Sequence, residues 1–217
     1  MESGEVILDR EIVSTVMHIL RRRLAYGDVG EEQAGIVLHP AQQELHRKIV
    51  ELISDTVIGS RNNSGLLLGA RGTGKTLVLE RALQAVHAKH PDKLMVVRLS
   101  GIVHTDDMQA LRGSAMQLCK QQKISYSKTA SYEENMTFLH EMLRECARSM
   151  RSVVFVLDEF HLFTARAKQA FLYTILNAMH STQVQAVVLG LSPEMNAASM
   201  LEKRVLSRFS HRTFIFA

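Results

Sequence analysis

The sequence has few of the features that mark secreted or membrane-embedded chains. Only 2 of its 217 residues are cysteines, so disulfide bonds are not expected to hold the fold together. The longest wholly apolar stretches, such as Val153–Leu157, fall far short of the roughly 20 residues that a membrane span needs. The first residues mix acids with apolar side chains and offer no clean apolar segment for a signal peptide. We therefore expect a chain inside the cell, without a membrane segment, in which Cys119 and Cys146 are reduced thiols.

The chain also has only a small excess of positive over negative residues. Lys and Arg total 26 and Asp and Glu total 22, which gives a net charge of +4 with neutral histidine. This excess permits contact with nucleic acid without demonstrating it. The apolar share of 46% and charged share of 22% are ordinary for a globular protein. No repeat or low-complexity tract interrupts the sequence, so a folded domain with a sizeable core is expected.

Short apolar runs alternate with longer segments of helical periodicity. The runs predict buried strands at Leu66–Leu68, Leu94–Leu99, Val153–Leu157, Ala186–Leu191 and Thr213–Phe216. Their apolarity is continuous, as in a parallel sheet that is covered on both faces. Between them lie apolar stripes with helical spacing. One of these stripes runs from Met136 to Met150, and its helix begins with Ser131 and Glu134 at the spacing of a capping box. We predict an α/β fold with a parallel five-stranded sheet and helices on both faces.

The first 35 residues stand apart from this alternation. Residues 1–35 predict an N-terminal helix, from Ile12 to Leu24, followed by a polar linker at 26–35. Residues 36–217 are then expected to form the main domain. Within it, Gly59–Ser64 predicts a polar turn before the first strand.

The strongest motif directly follows the first predicted strand. Residues Gly69–Thr76 read GARGTGKT, a full match to the phosphate-loop pattern G-x-x-x-x-G-K-[ST], and they open a predicted helix as that pattern requires. Backbone N–H groups of such a loop surround phosphate oxygens, and the helix N-terminus adds a favourable dipole. Lys75 is expected to neutralise the β- and γ-phosphates, and the Thr76 hydroxyl is expected to hold Mg²⁺. The predicted nucleotide-binding residues are Gly69, Ala70, Arg71, Gly72, Thr73, Gly74, Lys75, Thr76 and Leu77.

A second motif, VVFVLDEF, ends the third predicted strand in adjacent carboxylates. Asp158 would lie beside the phosphate loop and bind Mg²⁺, and Glu159 would polarise an attacking water. The neighbouring glutamate separates this pattern from GTPases of the Ras type. Another strand, Leu94–Leu99, lies between loop and carboxylates in the chain. Together these features resemble the additional-strand ATPases, and in particular the AAA+ class.

A third segment, LEKRVLSRFSHR, carries Arg204 and Arg208 at helical spacing. By itself it suits a helix C-terminus, where basic residues interact favourably with the helix dipole. In AAA+ proteins, however, this place just before the fifth strand carries the arginine finger. The resemblance therefore implies that Arg208 reaches the γ-phosphate held by a neighbouring subunit, with Arg204 beside it as a support or second contact.

The strings LLLGARGTGKT, VVFVLDEFHLF, VVLGLS and LEKRVLSRFSHR together resemble the subunit four family of the eukaryotic origin recognition complex. The resemblance covers roughly residues 10–217, with 36–217 as the AAA+ core. It implies ATP and Mg²⁺ as cofactors and a DNA-replication role in the nucleus. It also implies a hetero-oligomer with other subunits of that complex, especially subunits one and five, around double-stranded DNA, with no membrane. Arg208 would then act on the ATP site of subunit one.

Two departures from the family pattern bear on catalysis. AAA+ ATPases usually place Asn or Thr at the end of the fourth strand to orient the attacking water, whereas this chain has Ser192 followed by Pro193. The fifth predicted strand ends beside the last residue, so we expect an ATPase core without the helical lid and winged-helix domains. Both departures predict little or no ATP hydrolysis by the chain alone. The alternatives are an autonomous AAA+ ATPase, such as a clamp-loader-like motor, and an archaeal-type initiator acting alone on DNA.

One further segment, from Lys120 to Lys128, interleaves basic residues with Tyr126. A solvated surface loop would read this way, and so would a loop that contacts nucleic-acid phosphates. Initiator ATPases resemble one another in carrying a DNA-facing insertion in this region, after the second strand. Both interpretations remain open from the sequence.

Overall fold

The computed structural model describes residues 38–126, 131–210 and 212–217. Their helices are α1 (Pro40–Val57), α2 (Lys75–Lys89), α3 (Asp107–Gln122), α4 (Tyr132–Arg148), α5 (Phe160–Thr164), α6 (Ala170–Ser181) and α7 (Lys203–Leu206), with a short 3-10 turn at Ala167–Gln169. Their strands are β1 (Asn63–Leu68), β2 (Leu94–Ser100), β3 (Ser152–Asp158), β4 (Ala186–Ser192) and β5 (Thr213–Ile215). The predicted N-terminal helix and linker lie outside the described residues.

The five strands form one parallel sheet in the order β2-β3-β4-β1-β5. After β1 the chain crosses the sheet to form β2 as an outer strand. Strands β3 and β4 then lie between β2 and β1. The carboxyl ends of all strands therefore meet at one edge, and β1 leaves the sheet there between β4 and β5. The predicted fold class is confirmed.

Helices cover both faces of the sheet, as the continuous apolarity of the strands predicts. Alternate residues of β3 show the arrangement. Phe155 and Leu157 pack in the core under α3, α4 and α6, whereas Val154 and Val156 pack in the core under α1 and α2. Cys119 and Cys146 are free thiols in the first of these cores, as the sequence predicts. None of the described helices is long and apolar enough to cross a membrane.

The start of β1 differs from the sequence-based expectation. The strand begins at Asn63, inside the segment that was expected to be a turn. Its polar residues are buried because they have partners: Asn63 Nδ2 donates to Thr56 Oγ1 at 2.9 Å, and the hydroxyls of Ser64 and Ser210 lie 3.0 Å apart. Apolar runs detect buried strands only where the strand is apolar, so this part was missed.

Two helix ends also refine the prediction. The capping box of α4 is present, with Ser131 Oγ accepting from Glu134 N at 3.2 Å and Glu134 Oε2 accepting from Ser131 N at 2.6 Å. The apolar stripe of α4, however, stops short of Met150, which was expected to belong to it. Helix α4 ends at Arg148, and Met150 adopts a φ of 56° with 66% of its surface exposed.

Candidate functional site

The phosphate loop and the two carboxylates meet at the carboxyl edge of the sheet. Strand β4 separates β1 from β3, and Leu68 is in register with Ser192 while Leu157 is in register with Gly190. Gly69, which follows β1, and Asp158, the last residue of β3, are thereby brought to the same edge. Sequence spacing could predict this meeting but not the strand that lies between them.

The loop's conformation depends on its glycines. Gly69, Gly72 and Gly74 have φ angles of 152°, 86° and 88°, a range that residues with a side chain rarely adopt. At Gly69 a Cβ atom would also lie 2.2 Å from the carbonyl oxygen of Phe216, so a larger residue would displace the end of the sheet. Gly74 begins α2 with a left-handed conformation and no side-chain cap. The helix thus presents its N-terminal N–H groups to whatever lies in the loop.

Lys75 lies along the inside of this loop. Its Nζ donates to the carbonyl oxygens of Gly69 at 2.6 Å and Ala70 at 2.8 Å. Burial lowers the pKa of Lys75, and the negative charges of Asp158 and Glu159 act in the opposite direction. A partly buried ammonium favours a negatively charged ligand, because such a ligand offsets the cost of its burial.

A pocket of about 310 Å³ lies over the loop. It is lined by Arg71, Gly72, Gly74, Lys75, Thr76, Leu77, Asp158, Glu159, Leu191 and Pro193. The other predicted loop residues support it from behind: Gly69 and Ala70 accept from Lys75, and Thr73 Oγ1 donates to Ala70 O at 2.9 Å. The pocket brings together two glycines, an ammonium and two carboxylates.

These residues fit a nucleotide with Mg²⁺. Thr76 and Asp158 both line the pocket and offer a hydroxyl and a carboxylate, the oxygen ligands that Mg²⁺ takes alongside phosphates and waters. Loss of hydration beside the protein raises the pKa of Asp158, and the charge of Glu159 raises it further. A divalent cation beside Asp158 would offset both effects.

Glu159 lies between Arg71 and His161. Its backbone is left-handed, with φ 50° and ψ 52°, at the turn from β3 into α5. Arg71 Nη2 of the phosphate loop donates to Glu159 Oε1 at 3.0 Å. On the other side, His161 Nδ1 lies 3.6 Å from the buried Oε2 of Glu159. The predicted water-polarising carboxylate is thus engaged by Arg71.

Ser192 ends β4 between the loop and the carboxylates. Its side chain is fully buried rather than part of the pocket lining, and its Oγ accepts from Glu194 N at 3.0 Å. The same Oγ lies 3.5 Å from His161 Nδ1. The pocket wall at this point is formed by the neighbours Leu191 and Pro193.

Arg204 and Arg208 lie together, but they do not line this pocket. Helix α7 is a single turn that ends at Leu206, so Arg208 follows the helix rather than belonging to it. The guanidinium carbons of Arg204 and Arg208 lie 5.0 Å and 4.9 Å from the centre of the Tyr173 ring. Arg204 also pairs with Glu202 at 3.0 Å and donates to the carbonyl of Lys168, whereas Arg208 donates to Arg204 O at 3.0 Å. We call Tyr173, Arg204 and Arg208 the arginine corner.

Three contributors to these regions were missed from the sequence. Gln42 of α1 donates from Nε2 to Thr73 O at 3.1 Å and so ties the loop to a distant helix. Tyr173 carries the arginine corner, and His161 lies between Glu159 and Ser192. Only His161 had a signal, its place two residues after Glu159. Gln42 and Tyr173 are found by tertiary contact alone.

The basic segment after α3 is only partly described, because residues 127–130, which include Lys128, lie outside the described residues. Lys120 and Lys123 are exposed. Tyr126 instead packs against the core, with its ring centre 5.8 Å from that of Phe138 and its hydroxyl donating to Asn135. The ring and hydroxyl of Tyr126 are therefore engaged in contacts within the chain.

The fold and the loop define a class of protein. A family model described as an AAA domain matches residues 58–197, which include the phosphate loop, both carboxylates and β4. The chain belongs to this AAA domain family.

Its curated relatives narrow the class. The chain is 44% identical over 171 residues to "Origin of replication complex subunit 4" of Arabidopsis thaliana, an alignment that covers 79% of this chain and 41% of the relative. It is 37% identical over 205 residues to "Origin recognition complex subunit 4" of Xenopus laevis, covering 93% of this chain and 46% of the relative. The chain spans about half the length of the curated relatives it matches.

Solved structures agree on the fold. The Aeropyrum pernix ORC1 protein in complex with DNA superposes with a TM-score of 0.68 at 20% identity, over 90% of this chain and 49% of that one. A chain of the Drosophila ORC bound to DNA superposes with a TM-score of 0.61 at 18% identity, over 99% of this chain and 51% of that one. At these identities the likeness concerns the fold alone.

Proposed function

We propose that this chain is the ATP-binding AAA+ part of an origin recognition complex subunit that acts in the initiation of DNA replication. One observation carries the proposal: a phosphate loop with Lys75, Thr76 and Asp158 around one pocket, in a chain similar to subunit 4 of that complex. Gly69–Leu77 bind the phosphates of ATP, and Thr76 and Asp158 hold Mg²⁺. When bound, Mg²⁺ neutralises phosphate charge.

The arginine corner serves a different nucleotide. Arg208, supported by Arg204, reaches the ATP held by a neighbouring subunit, because a planar, permanently charged guanidinium matches phosphate oxygens. Subunit one is the proposed recipient and subunit five a further neighbour in a nuclear hetero-oligomer. Double-stranded DNA is the proposed nucleic-acid partner. With a net charge of only +4, the chain should contact phosphates rather than read bases, so binding should weaken steeply with salt.

ATP serves this chain mainly as a structural ligand. Glu159 is engaged by Arg71, and the hydroxyl of Ser192 points into the protein rather than into the pocket. General-base catalysis depends on such geometry as well as on a suitable carboxylate. We therefore expect negligible hydrolysis by the chain alone. The second candidate, an autonomous ATPase or clamp-loader-like motor, is favoured only by the presence of Glu159 at the pocket.

Equilibrium binding of ATP and steady-state turnover test the proposal together. Lys75→Ala removes the ammonium and should weaken ATP binding by about 10- to 150-fold, the range for hydrogen bonds to charged groups. The matched control is Lys89→Ala, an exposed lysine at the other end of α2 that should leave affinity unchanged. Circular dichroism checks that both variants fold.

Turnover then separates the two candidate functions. The chain alone should be inactive, and the complex reconstituted with the other subunits should hydrolyse ATP. Equal ATP affinity in wild type and Lys75→Ala would remove the nucleotide site. Turnover near 1 s⁻¹ by the chain alone, at the low end of the roughly 1–10³ s⁻¹ typical of enzymes, would favour the autonomous ATPase.

A further inference from the structure

We propose that Arg71 exchanges between Glu159 and the phosphates of the bound nucleotide, so that nucleotide binding releases the carboxylate. Arg71 is then a positioning residue that couples occupancy of the phosphate loop to the state of Glu159. The proposal rests on the function proposed above, and it adds a regulation of the same site.

The two partners of the Arg71–Glu159 contact differ in exposure. Glu159 has 15% of its side chain exposed and sits on a left-handed backbone position at the start of α5. Arg71 has 74% of its side chain exposed and belongs to the phosphate loop. One nitrogen, Nη2, bonds one oxygen, Oε1, at 3.0 Å. Since the carboxylate is packed and the guanidinium is not, the exchange is a movement of Arg71.

Phosphate and carboxylate compete for the same donors. A guanidinium has five N–H groups in a planar fork that suits either anion, and phosphates bind it through two parallel hydrogen bonds where geometry permits. Arg71 and Glu159 line one pocket with Lys75. Phosphate charge in that pocket attracts Arg71 and repels Glu159, so both forces act to separate the pair.

The separation leaves Glu159 with its opposite partner. Oε2 of Glu159 is buried and lies 3.6 Å from His161 Nδ1, which itself lies 3.5 Å from Ser192 Oγ. His161 Nδ1 is then the basic atom that remains beside this oxygen, which has no hydrogen-bond partner of its own among the described residues. In this arrangement the Arg71–Glu159 pair opposes nucleotide binding. Breaking the pair costs free energy, and this cost weakens the affinity of the chain for ATP.

A double-mutant cycle on ATP affinity separates the effect of the Arg71–Glu159 pair from the general effect of removing a negative charge. Four forms of the chain are compared with Mg²⁺ present: wild type, Glu159→Gln, Arg71→Ala and the double variant. Glu159→Gln should tighten ATP binding about fivefold when Arg71 is present, the upper end for an ion pair whose arginine is largely exposed. In the Arg71→Ala background the gain should be at most about twofold.

Two further variants keep the result interpretable. Glu194→Gln removes an exposed acid close to the same edge and should have the same small effect in both backgrounds. Arg71→Gln serves as a second background if Arg71→Ala binds ATP too weakly to measure. An equal gain from Glu159→Gln with and without Arg71 would overturn the exchange. If Lys75→Ala still weakens ATP binding in that case, the nucleotide site stands and only the exchange is wrong.

Discussion

The phosphate loop and the arginine corner both carry positive charge, but they are built differently. At the phosphate loop, main-chain N–H groups and the N-terminus of α2 offer most of the hydrogen-bond donors, and Lys75 in the first turn of α2 adds an ammonium. At the corner, two side chains lie on the ring of Tyr173 beside a one-turn helix. The first is specified by glycines and the second by packing.

The difference has an electrostatic consequence. Lys75 is partly buried, donates to loop carbonyls and lines the pocket of its own chain. Arg204 is exposed and Arg208 is half-buried, and neither faces that pocket. In the proposed function these two arginines act on a ligand that another chain holds. Substitutions in the two regions should therefore show their effects in different assays.

The largest expected effect comes from the corner. Arg208→Ala should leave the ATP affinity of this chain unchanged and reduce ATP hydrolysis in the reconstituted complex by about 10³-fold, as when arginine fingers are missing elsewhere. Turnover of the assembled complex and equilibrium ATP binding by the isolated variant are the two measurements.

Lys203→Ala is the matched control, since Lys203 is an exposed cation on the same short helix. It should preserve turnover. Wild-type turnover with Arg208→Ala would remove the finger assignment and leave Arg208 as a residue that only supports the chain after α7.

The contrast between the regions also shows what the sequence could predict. The sheet, its parallel direction and the phosphate loop follow from apolar runs and one spaced motif, because both are local patterns with few alternative meanings. The polar start of β1 was missed because Asn63 and Ser64 are buried with side-chain partners. The pairing of Glu159 with Arg71 was missed because a strand end and a loop far away in the chain share one pocket.

The corner was predictable only through resemblance. Arg204 and Arg208 were singled out by their place before the fifth strand, and spacing suggested that they share a face. Their common contact is the ring of Tyr173, which belongs to α6 and has no motif of its own. Aromatic residues on a helix are ordinary core material, so nothing local marks this one.

A smaller effect is expected where the loop meets α1. Gln42 accepts from His39 N at 3.2 Å as part of the helix cap, and it donates to Thr73 O at 3.1 Å. Gln42→Ala should lower ATP affinity by about 2- to 12-fold, the range for one lost hydrogen bond, because the loop carbonyl loses its anchor. Isothermal titration with ATP measures the change.

His39→Ala separates the two roles of Gln42. His39 Nδ1 accepts from Ala41 N at 3.4 Å and takes part in the cap without touching the loop. That variant should lower the melting temperature slightly and leave ATP affinity unchanged. If both variants weaken ATP binding equally, Gln42 acts through the helix start and not through Thr73.

The smallest expected effect lies at the support of the corner. The ring of Tyr173 faces two guanidinium groups within the roughly 6 Å over which a cation is attracted to an aromatic face. At exposed sites that attraction contributes about 0.5–1 kcal/mol, so Tyr173→Leu should reduce turnover of the reconstituted complex about two- to fivefold. Tyr173→Phe keeps the ring and should preserve turnover, which separates the ring from the hydroxyl. ATP affinity of the isolated chain should be unchanged in both variants, since Tyr173 does not line the pocket. A fall in turnover with Tyr173→Phe that matches Tyr173→Leu would show that the ring face does not position the arginines.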